Sequence, residues 1–215
     1  MVSKIEFVLE SLFRQGVFAD ENQASQLYEY VNLILEWNKV YNLTAVRSFD
    51  DIVIRHIVDS LSILSYLPCG SYSLLDVGSG AGLPGIPLSI MRPDMNCCLL
   101  DVQERRCIFL AQVVAELGLS NVKVHRSRLD CFHSDDSYEV IISRAFSSLA
   151  EFVSSSRHLS SSGYGWYAMK GRYPEDEINL LPPEFIILNN WQIKLVESQV
   201  CRCLLRVGFR EKNHG

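Results

Sequence analysis

The spacing of apolar residues changes character near residue 70. Before that point they recur every three or four positions, the spacing of one helix face. Leu27, Val31, Ile34 and Leu35 form one such stripe, and Val53, Ile54, Ile57, Leu61 and Leu64 form another. Asp20, with Gln23 three positions on, has the form of a capping box ahead of the first stripe. Thr44 or Ser48 can cap the second, and Pro68 marks its stop. Arg55, His56, Asp59 and Ser60 lie largely off the second stripe. At positions i and i+4, Arg55 and Asp59 read as a surface ion pair. Residues 1–67 are therefore expected to form a helical extension, which would carry His56 away from any sheet that follows.

From residue 73 onward short apolar runs alternate with amphipathic stretches. Strands are predicted at 73–77, 96–101, 122–126, 138–143, 164–170, 184–190 and 200–207, and helices at about 84–91, 103–117, 147–159 and 175–181. Strands interleaved with helices build a doubly wound, mostly parallel sheet covered on both faces. The last two strands lack a helix between them, so the final one is expected to pair antiparallel. Neither Ser160–Gly163 nor Pro182-Pro183 is long enough for a domain linker, so residues 68–215 are expected to be one compact α/β unit.

The first strand, Leu74-Leu75-Asp76-Val77, runs into Gly78-Ser79-Gly80-Ala81-Gly82-Leu83-Pro84-Gly85. Glycine lets a ligand approach the backbone closely, and in an open parallel sheet ligands bind at the carboxyl ends of strands. The spacing decides which ligand. A dinucleotide fingerprint starting at Gly78 would need its third glycine where Leu83 stands, and a phosphate-binding Walker loop would need a lysine that is absent. What remains, Asp-x-Gly-x-Gly-x-Gly, resembles motif I of the S-adenosylmethionine-dependent methyltransferases.

Composition narrows the field further. With 215 residues and 48% hydrophobic content, the chain can bury the core of one α/β domain. No uncharged run reaches the roughly 18 residues of a membrane span, and the charged N-terminus does not read as a signal peptide. The seven cysteines lack metal-ligand spacing, so no metal is expected, and reduced thiols in a cytoplasmic protein are the reading. A net charge of −5 does not advertise a nucleic-acid binder, yet the 20 basic residues divide into 14 Arg and 6 Lys. Guanidinium suits phosphate contact and base stacking, so any RNA contact must be a local arginine patch.

Further candidates stand at the other strand ends. Asp101 closes the second strand, where an acid commonly meets a ribose; it could equally cap the helix that follows. Asp76 would be costly to bury unpartnered, and either a cationic cofactor amine or the turn's own N–H groups could satisfy it. The fourth strand ends Ser143-Arg144-Ala145. Arg144 could meet the cofactor carboxylate, an RNA phosphate or the O6 edge of a guanine, or form a structural salt bridge. That end lacks the Asn-Pro-Pro-Tyr of exocyclic amine methyltransferases, and no cysteine stands there for pyrimidine C5 chemistry.

Five motifs occur together in one family: Trp37-Asn38-Lys39-x-Tyr41-Asn42-Leu43-Thr44, Arg55-His56-x-x-Asp59-Ser60, Asp76 to Pro87, Ser143-Arg144-Ala145 and Met169-Lys170-Gly171. From about residue 20 to 207 the chain resembles the bacterial small-subunit ribosomal RNA guanine-N7 methyltransferases, formerly called glucose-inhibited division protein B. The resemblance implies a class I, Rossmann-like methyltransferase fold with S-adenosylmethionine as donor and S-adenosylhomocysteine as product. It implies as acceptor a guanine in the decoding-region loop of 16S rRNA, free or in an assembling or mature small subunit. Cofactor contacts are expected at Asp76, Gly78, Gly80, Gly82, Leu83, Asp101, Leu129, Asp130 and Arg144, and RNA contacts at Arg55, His56, Lys170 and Arg172. A monomer is expected. The cysteine content and the tail from Arg210 to Gly215 follow no family pattern. A small-molecule methyltransferase would lack the N-terminal and Lys170-Gly171 motifs, a nicotinamide enzyme would need the missing glycine spacing, and a non-catalytic ribosome-assembly factor would fail an activity assay.

Overall fold

The capping signals set the N-terminal helices. In the computed structural model, which describes residues 3–134, 136–144 and 146–210 with the Ser162 side chain left aside, α1 (Lys4–Arg14) begins at a Ser3–Glu6 capping box. The expected Asp20–Gln23 box opens α2 (Glu21–Tyr41). Ala145 and the tail residues 211–215 lie outside the described residues. Helix α2 continues beyond its apolar stripe because Trp37 packs edge-on against Phe109, centroids 5.4 Å apart, and donates its indole N–H to Gln112 at 3.0 Å.

The second stripe is not one regular helix. Ser48 caps a short α3 (Phe49–Ile52), a π-helical turn follows over Val53–Val58, and α4 (Asp59–Leu61) completes the segment. A π turn holds more residues than an α turn, so side chains beyond it rotate away from the face a 3.6-residue period assigns them. Asp59 and Ser60, expected off the apolar face, are consequently buried. The expected Arg55–Asp59 surface pair does not form; Arg55 reaches Asp51 instead, at 3.4 Å.

Seven strands make the sheet: β1 (Ser73–Val77), β2 (Asn96–Asp101), β3 (Val122–Arg126), β4 (Tyr138–Ser143), β5 (Ser160–Lys170), β6 (Phe185–Lys194) and β7 (Cys201–Phe209). Their order is β3-β2-β1-β4-β5-β7-β6. Pairings are parallel from β3 through β5, with Asp76 level with Leu99 on one side and Ile142 on the other. Strand β7 runs antiparallel to both β5 and β6, as its missing crossover helix required. The crossovers are α5 (Gly85–Met91), α6 (Glu104–Glu116) and α7 (Leu149–Ser156), and a short α8 (Glu175–Asn179) precedes β6.

Alternate side chains of each strand feed two apolar layers. Leu74, Leu99, Val140, Ile142 and Leu204 join the N-terminal helices, α5 and α6 in one cluster. Leu75, Leu100, Ile141, Trp166 and Leu205 join α7 in the other. Residues 3–67 thus cover one face of the sheet, and Tyr30 of α2 donates its hydroxyl to the Ala81 carbonyl inside the glycine turn. Strand order reverses between β1 and β4, and the crevice at their carboxyl ends is the expected ligand position.

Candidate functional site

Two cavities open along the carboxyl edge of the sheet. One, of about 310 Å³, lies beyond β1, β2 and β3. The other, of about 840 Å³, lies beyond β4 and β5 and beside the start of β7, which runs in reverse and so brings Cys201 and Arg202 to the same edge.

Backbone shapes the smaller cavity. Gly78 has φ of +71°, and a Cβ built there would meet no atom within 4 Å, so the chain presents bare backbone to open space. Beside it, the buried Asp101 carboxylate lines the wall. Its Oδ1 accepts from the Gln103 N–H at 2.8 Å, within the turn that leads into α6, and its Oδ2 accepts from the Gly80 N–H at 2.9 Å and from Arg106 at 3.3 Å. Helix α6 has no side-chain N-cap bond, so Asp101 does not take the capping role; its carboxylate ties the turn before α6 to the glycine turn. Leu129 and Asp130 line the same cavity from a 3₁₀ turn after β3, and Arg128 holds Asp130 at 2.9 Å, keeping that carboxyl below its ordinary pKa.

Other residues of the turn stand behind the cavity instead of lining it. Asp76 is fully buried; its Oδ2 accepts from the Gly85 N–H at 2.9 Å, while Oδ1 has no partner among the described residues. Burial raises its pKa to about 7. The turn's own N–H therefore satisfies one oxygen of Asp76. Gly82 is required by packing, because a Cβ there would lie 2.6 Å from Ile86 Cγ1 and 2.9 Å from Leu110 Cδ2. Leu83 is buried in the apolar layer and Gly80 spends its N–H on Asp101. Asp76, Gly80, Gly82 and Leu83, expected as cofactor contacts, therefore shape the turn from behind. Phe146 and Glu151, which sequence reasoning missed, line the cavity from the start of the α7 region. A Ser148–Glu151 N-cap was the available signal for Glu151.

Side chains shape the larger cavity, and most are charged. Arg55, His56, Asp59, Arg144, Lys170 and Arg202 line it, over an apolar floor that includes Ile54, Met169 and Val200. Asp59 receives Arg144 Nη1 at 3.5 Å and Arg202 Nε at 2.8 Å. Lys170 is held by Glu177 at 2.7 Å. Arg172 is exposed and borders an adjoining cavity that shares Lys170 and Gly171. Arg202 was not foreseen; it sits in a strand where alternation alone marks it as facing away from Cys203.

His56 was expected far from the strand ends, and the π turn instead brings it into this cavity. Its Nδ1–H donates to the Arg55 carbonyl at 3.0 Å, which leaves Nε2 to accept the Thr44 hydroxyl at 2.7 Å. Burial first, and then the Arg144 cation, lower its pKa to about 4. The imidazole is therefore neutral near pH 7 with both nitrogens engaged. The same Arg144 charge also favours ionisation of Asp76 and Tyr30, which puts this arginine electrostatically between the two cavities.

A cationic small molecule with a nucleoside portion suits the smaller cavity. It offers an open backbone cradle at Gly78 and carboxylates at Asp101, Asp130 and Glu151. The fold has known counterparts: a SAM dependent methyltransferase from Aquifex aeolicus superposes with a TM-score of 0.58 at 19% identity, over 73% of this chain and 92% of that one. A family model described as rRNA small subunit methyltransferase G matches residues 23–204. Relatives named ribosomal RNA small subunit methyltransferase G include one from Ectopseudomonas mendocina, 44% identical over 180 residues and 84% of each chain. Another, from Pseudomonas aeruginosa, is 46% identical over 170 residues and 79% of each chain. The chain therefore belongs to the rRNA small subunit methyltransferase G family.

Proposed function

We propose that this chain methylates N7 of a guanine in the decoding-region loop of 16S rRNA by direct displacement, without a general base. S-adenosylmethionine supplies an electrophilic sulfonium methyl when bound. Guanine N7 already carries a lone pair and no proton. Its attack on the methyl carbon returns the carbon–sulfur electron pair to sulfur, and no proton leaves the base. The protein then has to align the two partners and shape the field around them.

The observation that carries this reading is the engaged state of the carboxylates and the imidazole that line the larger cavity among the described residues. His56 uses both ring nitrogens, Asp59 faces two arginines, Asp51 meets Arg55, and Glu197 meets Arg14. None of the four stands without a protein partner, which suits a reaction that abstracts no proton. Gly78, Asp101, Leu129 and Asp130 would hold the cofactor, with Asp101 toward the ribose. Arg144 would read the guanine O6 edge or the cofactor carboxylate. Arg55, Lys170 and Arg172 would meet phosphates, and His56 would support docking. Among the described residues no helix is long and apolar enough to cross a membrane. The chain would act as a monomer in the cytoplasm, on 16S rRNA either free or in an assembling or mature small subunit.

The test is transfer from methyl-labelled S-adenosylmethionine to free 16S rRNA, assembling particles and mature subunits, with the modified base mapped. A single N7-methylguanine in the decoding-region loop is expected. Label at an exocyclic amine or on another RNA would overturn the assignment.

A further inference from the structure

The geometry points to Asp59 as a positioning residue that sets the orientation of two arginines at once, a role that rests on the methylation reading above. Asp59 lies at the start of α4 and only 3% of its surface is exposed. Its ionic partners lie 85 and 143 positions away in sequence, one just beyond β4 and one in β7. Each carboxylate oxygen takes a different guanidinium, through Nη1 of Arg144 and Nε of Arg202. Both arginines keep part of their surface toward the cavity, 23% for the Arg144 side chain and 30% for that of Arg202. Among the described residues, the remaining N–H groups of these two guanidiniums have no protein acceptor, so planar donors at fixed angles face the space a base would enter.

The charge balance has a second consequence. Without Asp59 the two arginines would stand as an uncompensated cation pair beside a base that becomes cationic on methylation. One carboxylate halves that charge while keeping both donor forks. Lys170 is treated alike by Glu177, so the cavity is rich in donors and modest in net positive charge. RNA affinity alone would favour the opposite arrangement, because phosphates bind more tightly to unpaired cations. Orientation and charge of the two arginines are therefore set for the reaction rather than for phosphate binding.

Asp59→Asn tests this. The amide keeps the shape, removes the charge and can accept through only one oxygen. With rRNA and S-adenosylmethionine both saturating, the single-turnover rate is expected to fall about 100-fold, the size of effect a small misplacement of reacting groups produces. Affinity for rRNA should stay the same or tighten, and S-adenosylmethionine affinity should be unchanged. A merely structural ion pair would lower rate and both affinities together as the folded fraction fell, which would overturn the proposal. So would a wild-type rate in the variant. Should Asp59→Asn fail to fold, Arg202→Lys keeps the charge and loses the fork, and the same loss of rate with rRNA affinity retained is expected of it; a wild-type rate there would count equally against the proposal. Wild-type protein in the same assay separates the two readings: if it fails to methylate 16S rRNA the parent reading fails, whereas an active wild type beside an equally active variant overturns only the role of Asp59.

Discussion

The two cavities lie along one sheet edge but are built by opposite means. The smaller one centres on bare backbone at Gly78, among the ends of three consecutive strands, with Asp101, Asp130 and Glu151 around it. The larger one is side chain: cations from a π turn, from the loop after β4, and from β5 and β7, each held by a carboxylate. At a bare-backbone position such as Gly78 any side chain intrudes on the cavity. A side-chain cavity tunes charge and orientation and degrades by degrees. Substitutions should therefore fall into two classes, and the contrast can be broken at several points.

The largest effect is expected at Gly78. Gly78→Val would put a branched side chain into the open cradle at φ of +71°, a conformation β-branched residues avoid. S-adenosylmethionine binding measured by calorimetry should fall below detection, while circular dichroism shows a folded protein. Gly82→Ala, four positions on, should do the reverse. Its Cβ would overlap Ile86 and Leu110, so stability should drop by about 1–3 kcal/mol in urea titration, with cofactor affinity retained in the folded fraction. Equal loss of binding in both variants would mean that the turn acts as one unit and that the distinction between lining and supporting glycines is wrong.

A smaller effect is expected at the rim of the cation cavity. Lys170→Ala with Arg172→Ala should weaken rRNA binding about tenfold and reduce the dependence of log affinity on log salt by about 2, one for each lost phosphate contact. Cofactor affinity should not move. Arg172→Ala alone is the cleaner half of the pair, since Lys170 also neutralises Glu177, which in turn accepts the Leu149 N–H at 2.7 Å. A double variant whose salt dependence matches wild type would reduce both residues to surface charge.

How legible each cavity was follows from the same contrast. The glycine turn is a contiguous motif, and the short apolar runs beside it mark β1, β2 and β4, while β3 is marked by Val122 and Val124 although Lys123, His125 and Arg126 are exposed, so β1 to β4 and their order of appearance could be read from sequence. Strand β6 extends to Lys194, beyond its expected end at residue 190, because it is the sheet edge; Asn189, Asn190 and Gln192 face water there and disguise its second half. The cation cavity draws on Asp59, Arg144, Lys170 and Arg202, which no local spacing connects. Asp59 was misjudged for a definite reason: a 3.6-residue period places it beside Arg55 on the surface, whereas the π turn carries it inward to Arg202. Asp76 and Gly82 were expected as cofactor contacts; Asp76 accepts from the Gly85 N–H and Gly82 is hemmed in by Ile86 and Leu110, internal constraints that sequence cannot distinguish from ligand contact.

The smallest expected effect bears most directly on how the two cavities cooperate. If alignment and field alone drive methyl transfer, the single-turnover rate at saturating rRNA and cofactor should be nearly flat from about pH 6.5 to 8.5. His56 has its pKa lowered to about 4, so it is already neutral at the bottom of that range and raising the pH removes no proton from it. Asp76, raised to about 7, does titrate within the range, but it faces Gly85 behind the turn and lines neither cavity. The decisive measurement is the pH series on wild type beside His56→Ala. Direct displacement predicts two nearly level profiles, the variant offset only by weaker docking; a tenfold rise per pH unit in wild type, abolished in His56→Ala, would contradict it.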